Sequence, residues 1–345
     1  MAAGHSVDVD PASWQTGLDA LLSRVAGRFP RVEPRRRAGA LVRGLLADLP
    51  RKNCWTLAEH AGDATPDGMQ HLLARAAWDH DGVRDDLRAY LVEYLGDPGA
   101  VLVVDETGDL KKGTQTVGVQ RQYTGTAGRV ENAQVAVLLV YASQAGHGVI
   151  DRELYVPRSW TADPDRLRAA GVPDQLRFAT KPALAKAMLG RALDAGVPAS
   201  WVTGDEVYGA DPTLRAWLEG RGIGYVLAVA CDHPMVAGKA WRADELRKRI
   251  PARAWQRVSA GRGAKGHRFY DWAFVQLDPA DHDPDDPGQR WLLLRRNRRS
   301  GELAYYHCFM PHPVPLATLV TVAGRRWSIE MCQPQCTHIC ERAAA

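Results

Sequence analysis

The sequence predicts an α/β protein, in which an all-helical unit precedes a mixed sheet flanked by helices and a β-rich insertion interrupts the sheet before its last helix. Three observations lead there. Residues 14 to about 95 carry apolar residues at helical spacing, such as Leu41, Leu45 and Leu46 or Leu87, Tyr90, Leu91 and Tyr94, with almost no β-branched runs. Two short apolar runs, Val101-Leu-Val-Val and Trp201-Val-Thr, each lead into an acid, as strands buried on both faces do. Between and after them, strand-like and helix-like segments alternate, the pattern of a sheet covered by helices.

The first unit, 1–96, contains Trp55 to Ala61 and Asp67 to Trp78, read as two helices separated by Gly-Asp-Ala-Thr-Pro, with Arg35, Arg36 and Arg37 upstream. A helix-turn-helix and a plain helical bundle with solvated arginines both fit. The core opens at 97 and runs to 230. Strands are expected at Val101 to Val104, Thr116 to Tyr123, Ala133 to Ala142, Trp201 to Thr203 and Gly224 to Ala230, and helices at Lys181 to Ala195 and Pro212 to Arg221. Residues 231–310 break the alternation with Gly-rich turns and the runs Trp291 to Leu294 and Tyr305 to Phe309, the β-rich insertion. The segment 311–332 returns to a helix in which Leu316, Leu319, Ala323, Trp327 and Glu330 share one face, so Glu330 is expected to point inward and Trp327 to sit in the core. A divergent tail, 333–345, follows.

With 345 residues and 46% hydrophobic content the chain has enough apolar material for two or three packed units. A formal net charge of +4 excludes a general polyanion-coating role, and any basic surface must be local. The N-terminus lacks the pattern of a signal peptide, and no apolar run approaches the ~18 residues that span a bilayer. A cytoplasmic, nucleoid-associated protein is expected. Cys54, Cys231 and Cys308 are scattered, and the tail's Cys332, Cys336, His338 and Cys340 match no standard zinc spacing, so neither a disulfide framework nor a zinc site is expected.

Two strand ends carry the chemistry. Val-Leu-Val-Val-Asp105-Glu-Thr and Trp-Val-Thr-Gly-Asp205-Glu-Val-Tyr-Gly each place a carboxylate at a strand's C-terminal edge, where open α/β sheets build their sites. On neighbouring strands the two acids would converge as hard oxygen ligands suited to Mg²⁺ or Mn²⁺, with Glu330 completing the set. Two such ions would serve an in-line attack on phosphorus. A nucleotide hydrolase would share the acidic strand end, but no Gly-x4-Gly-Lys-Ser/Thr loop occurs; the nearest string, Gly108-Asp-Leu-Lys-Lys-Gly113-Thr, lacks the lysine after its second glycine. Each acid taken singly also fits a helix or turn cap.

Asp105-Glu-Thr-Gly-Asp-Leu-Lys-Lys-Gly, Val119-Gln-Arg-Gln-Tyr-Thr-Gly-Thr, Gly204-Asp-Glu-Val-Tyr-Gly and Arg325-Arg-Trp-Ser-Ile-Glu330 together resemble the signatures of bacterial insertion-sequence transposases of family 701, within the DDE superfamily, from about residue 15 to 330. The resemblance implies an RNase H-like core, an N-terminal helical DNA-binding domain, and metal-dependent cleavage and strand transfer at terminal inverted repeats of double-stranded DNA, by a homodimer on that DNA. It makes Asp105, Asp205 and Glu330 a metal-binding triad for two ions and puts Arg326, in an Arg-x3-Glu element, against a phosphate. Lys111, Lys112, Arg121 and Tyr123 are candidate DNA contacts around the first acid, or else a solvated turn and strand. The run Arg295-Arg-Asn-Arg-Arg-Ser is a candidate phosphate-facing hairpin.

The sequence departs from the family pattern after the third acid. Where relatives carry a second Glu, an aromatic and then a lysine, it reads Met331-Cys-Gln-Pro-Gln-Cys-Thr337, and Pro334 breaks a helix. Ala323 stands where the wider superfamily often has tyrosine. This is the pattern of a truncation or frame change near residue 330, and it implies a weakly anchored catalytic helix. The alternative function is accordingly a catalytically inactive remnant that binds element ends as a repressor.

Overall fold

The computed structural model describes residues 10–125, 127–263, 266–278 and 289–327. Two compact units divide the chain, with the boundary between Tyr94 and Leu95. Glu330 and the tail lie outside the described residues.

The first unit is helical: α1 (Pro11–Val25), α2 (Val32–Leu46), α3 (Cys54–His60), α4 (Asp67–Ala74) and α5 (His80–Leu95). Asp10 caps α1 by accepting from Ala12 N–H, and Asn53 caps α3 through Trp55 and Thr56 N–H, satisfying amides that the first turn leaves unpaired. Leu57, Ala58 and Met69 are buried among Ala40, Leu41 and Leu45, so α3 and α4 both pack on α2. Phe29 stacks on Trp78 at 5.3 Å beside Val25 and Leu72. Arg37 is not simply solvated: it pairs with Asp63 in the α3–α4 turn at 3.0 Å, while Arg35 and Arg36 are exposed.

The second unit begins with β1 (Val101–Leu110), β2 (Gln120–Thr124), β3 (Arg129–Ala142) and β4 (His147–Tyr155). Then come α6 (Arg158–Thr161), α7 (Pro164–Ala169), α8 (Lys181–Asp194), β5 (Trp201–Gly204), α9 (Glu206–Gly209), α10 (Pro212–Glu219) and β6 (Gly224–Val229). β3 runs antiparallel to β1 and β4, while β5 is parallel to β1 and β6 to β5. The order β4-β3-β1-β5-β6, three antiparallel strands and then two parallel to the first, is that of an RNase H-like sheet. Leu102, Val103 and Val104 are fully buried, as a central strand covered on both faces requires.

The segment expected as a strand from Thr116 starts only at Gln120, because Thr116–Val119 form a turn in which Val119 N–H donates to Thr116 C=O. β4, which the sequence does not announce, carries Asp151, Arg152 and Glu153. Asp151 is 1% exposed, and Arg191 of α8 reaches it at 2.9 Å, so the charge that disguises the strand is neutralised from another element.

The inserted segment extends this same sheet. After a hairpin of β7 (Pro234–Val236) and β8 (Ala240–Arg242) and a short α11 (Ala243–Lys248) come β9 (Gln256–Gly263), β10 (Gly266–Gln276), β11 (Gln289–Arg296) and β12 (Leu303–Met310). β12 pairs antiparallel with β6, and β11, β10 and β9 follow outward. β11 and β12 are buried on both faces: Leu292, Leu294 and Tyr305 pack with Met235 and Leu246, while Leu293, Tyr306 and Cys308 join Val101 and Val103 around Leu319 and Val320.

Leu319 and Val320 belong to α12 (Leu316–Arg325), which touches β1, β5, β6 and also β9, the last strand in the order. One helix can meet strands that far apart only if the sheet curls around it, in the sense of ordinary strand twist. The closest approach is Gly324, where a Cβ would lie 2.3 Å from the backbone oxygen of Ala260 in β9. Arg268 fastens the contact by donating to Ala260 C=O at 2.9 Å and Gly324 C=O at 3.3 Å. Among the described residues no helix is long and apolar enough to cross a membrane.

Gly324→Ala should therefore push α12 off β9 and lower stability by about 1–3 kcal/mol, the usual cost of overpacking. Urea unfolding of the two proteins measures this, and equal midpoints would mean that the helix and strand are not in contact.

Candidate active site

The site starts from one register. In the parallel pair β1–β5, Val104 lies opposite Gly204, so the next residues, Asp105 and Asp205, emerge side by side where β5 ends; β1 does not stop at Val104 as expected but runs on to Leu110, paired with β3. β5 stops there and the chain turns into α9, with Asp205 as its cap: the carboxylate accepts from Val207 N–H at 2.9 Å. Gly204 is needed for the approach, since a Cβ would lie 2.7 Å from Val104 Cγ2 and 3.2 Å from Tyr208 Cδ2. Asp105 is held within β1 and accepts from Glu106 N–H at 2.8 Å.

Strand alternation sorts the neighbours. Val101 and Val103 face α12, so Asp105 faces the same way and meets Arg326 at the end of that helix, Nη1 to Oδ2 3.8 Å. Glu106 faces the opposite side, where Lys181, at the start of α8, donates to Oε1 at 2.5 Å and Tyr208 donates to Oε2 at 3.0 Å. Carboxylate oxygens of Asp105, Glu106 and Asp205 all lie within 4.8 Å of one another.

Electrostatics follow from that crowding. Burial pushes the Asp105 carboxyl up to about 7, with Arg326 opposing and Asp205 adding to the rise. Asp205 is raised as well, by burial and then by Glu106. Tyr208 is raised well above its ordinary value by burial and by the three acids, so it stays a donor. Three partly desolvated carboxylates against two side-chain cations make a donor set that fits a hard divalent cation such as Mg²⁺ or Mn²⁺.

A cavity of about 450 Å³ opens beside Asp205 and Glu206, bounded by Tyr123, Tyr306, Arg295, Arg326 and Trp327 among others. Of the residues singled out in the sequence, Asp105, Asp205 and Arg326 come together and Tyr123, 60% exposed, reaches the cavity edge. Lys111, Lys112 and Arg121 do not line it; Lys111 pairs with Asp109, while Lys112 and Arg121 are exposed. Trp327 is not core. It is 44% exposed and lies under the Arg268 guanidinium at 4.8 Å, because the helix runs past the apolar floor of the sheet before that position. Glu330 falls outside the described residues.

Glu106, Lys181 and Tyr208 went unread in the sequence. The Asp-Glu doublet was the available signal, but alternation places its second member on the other face, and only the fold shows that α8 and α9 turn that face into a wall of the same site.

A mixed sheet of this order, with acids paired where the parallel strands β1 and β5 part, defines an RNase H-like chain. It belongs to the DDE superfamily endonucleases, whose family pattern matches residues 24–268. A curated relative, the "Probable transposase for insertion sequence element IS701" of Microchaete diplosiphon, is 30% identical over 192 residues, 55% of this chain. Those residues are 47% of the relative, so the match spans about half its length. The crystal structure of the NurA nuclease from Sulfolobus solfataricus aligns with a TM-score of 0.30 and 9% identity, covering 69% of this chain and 77% of that one. A likeness at that level assigns nothing.

The raised carboxyl sets a pH dependence. Asp105 titrates near 7 when folded and near 3.8 when unfolded, so between those values the folded state holds a proton the unfolded state has lost, and stability falls as pH rises. Without divalent ions, Asp105→Asn should be more stable than the parent above pH 7, by at most about 4 kcal/mol, and the two should converge near pH 4. Urea unfolding across that range measures the gap; a gap that does not widen with pH would show a well-solvated Asp105.

Proposed function

We propose that this chain is a DNA transposase that cuts phosphodiester bonds at the terminal inverted repeats of an insertion sequence and joins the freed 3′-hydroxyl ends to target DNA. One observation carries the reading: the register that sets Asp105 of β1 beside Asp205 at the end of β5, in a chain of the DDE superfamily. In this reading Asp105, Asp205 and Glu330 hold two Mg²⁺ or Mn²⁺ ions, the N-terminal helical unit binds the element ends, and two copies act together on the DNA.

The chain's own residues account for the rest. Asp105 and Asp205 are fixed by a strand and a helix cap, so they need no rearrangement to present oxygens to one point. Arg326 offers a guanidinium to a phosphate oxygen near Asp105. When bound, divalent cations activate the attacking oxygen and stabilise the leaving one. In the first step a water oxygen bonds to phosphorus as the P–O3′ bond opposite breaks; in the second, the released 3′-hydroxyl attacks a target phosphate in the same way. Lys111 and Lys112, just after β1, and Arg121 of β2 track the DNA beyond the site, and Tyr123 of β2 meets it at the cavity edge.

Nicking of end-labelled linear DNA carrying the element's own end, with Mg²⁺ or Mn²⁺, tests this. The parent chain should nick it, and Asp105→Ala and Asp205→Ala should fall to the level of the protein-free control. DNA binding without nicking by the parent would instead support a repressor that occupies element ends. Nicking that survives both substitutions would remove the acids from the chemistry.

A further inference from the structure

The arginine run at the end of β11 is divided by the fold. Arg296 follows Leu294 onto the outer face, where it pairs with Asp271 at 3.0 Å and covers Trp255 at 4.4 Å. Arg298 also reaches Asp271, at 3.5 Å. Arg295 follows Leu293 onto the face that looks at α12, the face that also carries Asp105. There it lines the cavity together with Asp205, Arg326, Tyr306 and Trp327.

Its surroundings are unusual for a guanidinium. The group lies over the Tyr270 ring at 4.8 Å, its Nε is shielded from solvent with no hydrogen-bond partner, and among the described residues no carboxylate pairs with it. Arg290 and Arg296 on the same strand both have acids. A half-buried cation without a counter-charge costs stability, and the donor it leaves idle costs more. A ligand that brings anionic oxygens into the cavity would relieve both at once. Guanidinium suits phosphate, which it can grip with two parallel N–H donors. The volume, about 450 Å³, is more than a single phosphate group fills and leaves room for the attached sugar.

We propose that this cavity is a phosphodiester-binding subsite for the DNA strand and that Arg295, delivered by the inserted strands, is its phosphate-binding residue. The inference rests on the transposase reading above. Arg326 and Arg295 then contact the strand from two walls of the cavity, the first beside Asp105 at the end of α12 and the second from β11. The inserted strands thereby contribute a wall and a charge to the site.

The test uses the full chain and a labelled duplex carrying the element end, with divalent ions omitted so that binding is read without cleavage. Affinity is measured at several salt concentrations for the parent, Arg295→Gln and Arg295→Lys, with folding checked by thermal melting. Arg295→Gln should bind about tenfold more weakly and lower the slope of log affinity against log salt by about 0.9, the loss of one phosphate contact. Arg295→Lys should restore the slope while binding more weakly than the parent, because it keeps the charge and loses the fork. If Arg295→Gln does not fold, Arg295→Lys alone decides: weaker binding supports the subsite and unchanged binding overturns it. Parental affinity and slope in Arg295→Gln would overturn the inference alone, provided that Asp205→Ala still abolishes nicking. A parent that does not bind the duplex would overturn the transposase reading with it.

Discussion

The pairing of β1 with β5 is the constraint from which the rest of the site follows. It is parallel, it is in the middle of the sheet, and it places Val104 opposite Gly204. Parallel strands run the same way, so an acid one residue past each partner must meet the other. A slip of one residue would send one of the two acids to the opposite face. Gly204 lets the chain pass within contact of Val104 and Tyr208 and turn at once into α9, whose first amides fix Asp205. The buried apolar residues of β1 serve the same end, since they hold the strand deep enough that Asp105 is drawn out of water.

That depth has an electrostatic consequence. Carboxylates brought together away from solvent raise one another's proton affinity, and burial is the largest contribution for both Asp105 and Asp205. Arg326 and Lys181 offset part of the repulsion, from opposite faces of the strand. A structure selected for stability alone would neutralise such a group more fully, as it does for Asp151 with Arg191. The contrast between the two buried acids is informative: one is closed off by its partner, whereas the other sits among carboxylates that still face each other, one of which, Asp205, borders a cavity.

Much of this was legible in the sequence, and the gaps have specific causes. The apolar runs of β1, β5 and β6 announced central strands because buried parallel strands carry little else, and the acids that follow the first two runs were visible as a repeated pattern. β4 was not legible, because its charges read as surface and their partner lies forty positions on in α8, a distance over which no local period reports. Trp327 was misplaced because helical spacing gives the direction of a side chain but not how far the floor beneath it extends. Glu106 was passed over for the converse reason: alternation correctly put it on the other face, and nothing local revealed that Lys181 and Tyr208 close that face.

The inserted strands show why segment-by-segment reading stops short of the site. In sequence they look like an excursion between the second acid and the last helix. In the fold they continue the sheet from β6, and because they keep its alternation, Leu293 and Tyr306 face α12 as Val101 and Val103 do. Curling of the sheet around that helix then turns one continuous face inward on itself, so residues from its centre and from its extension line the same cavity. A conformational choice repeated at every strand, which face each side chain takes, thus determines that Arg295 and Asp105 share a face while Arg296 and Glu106 look the other way.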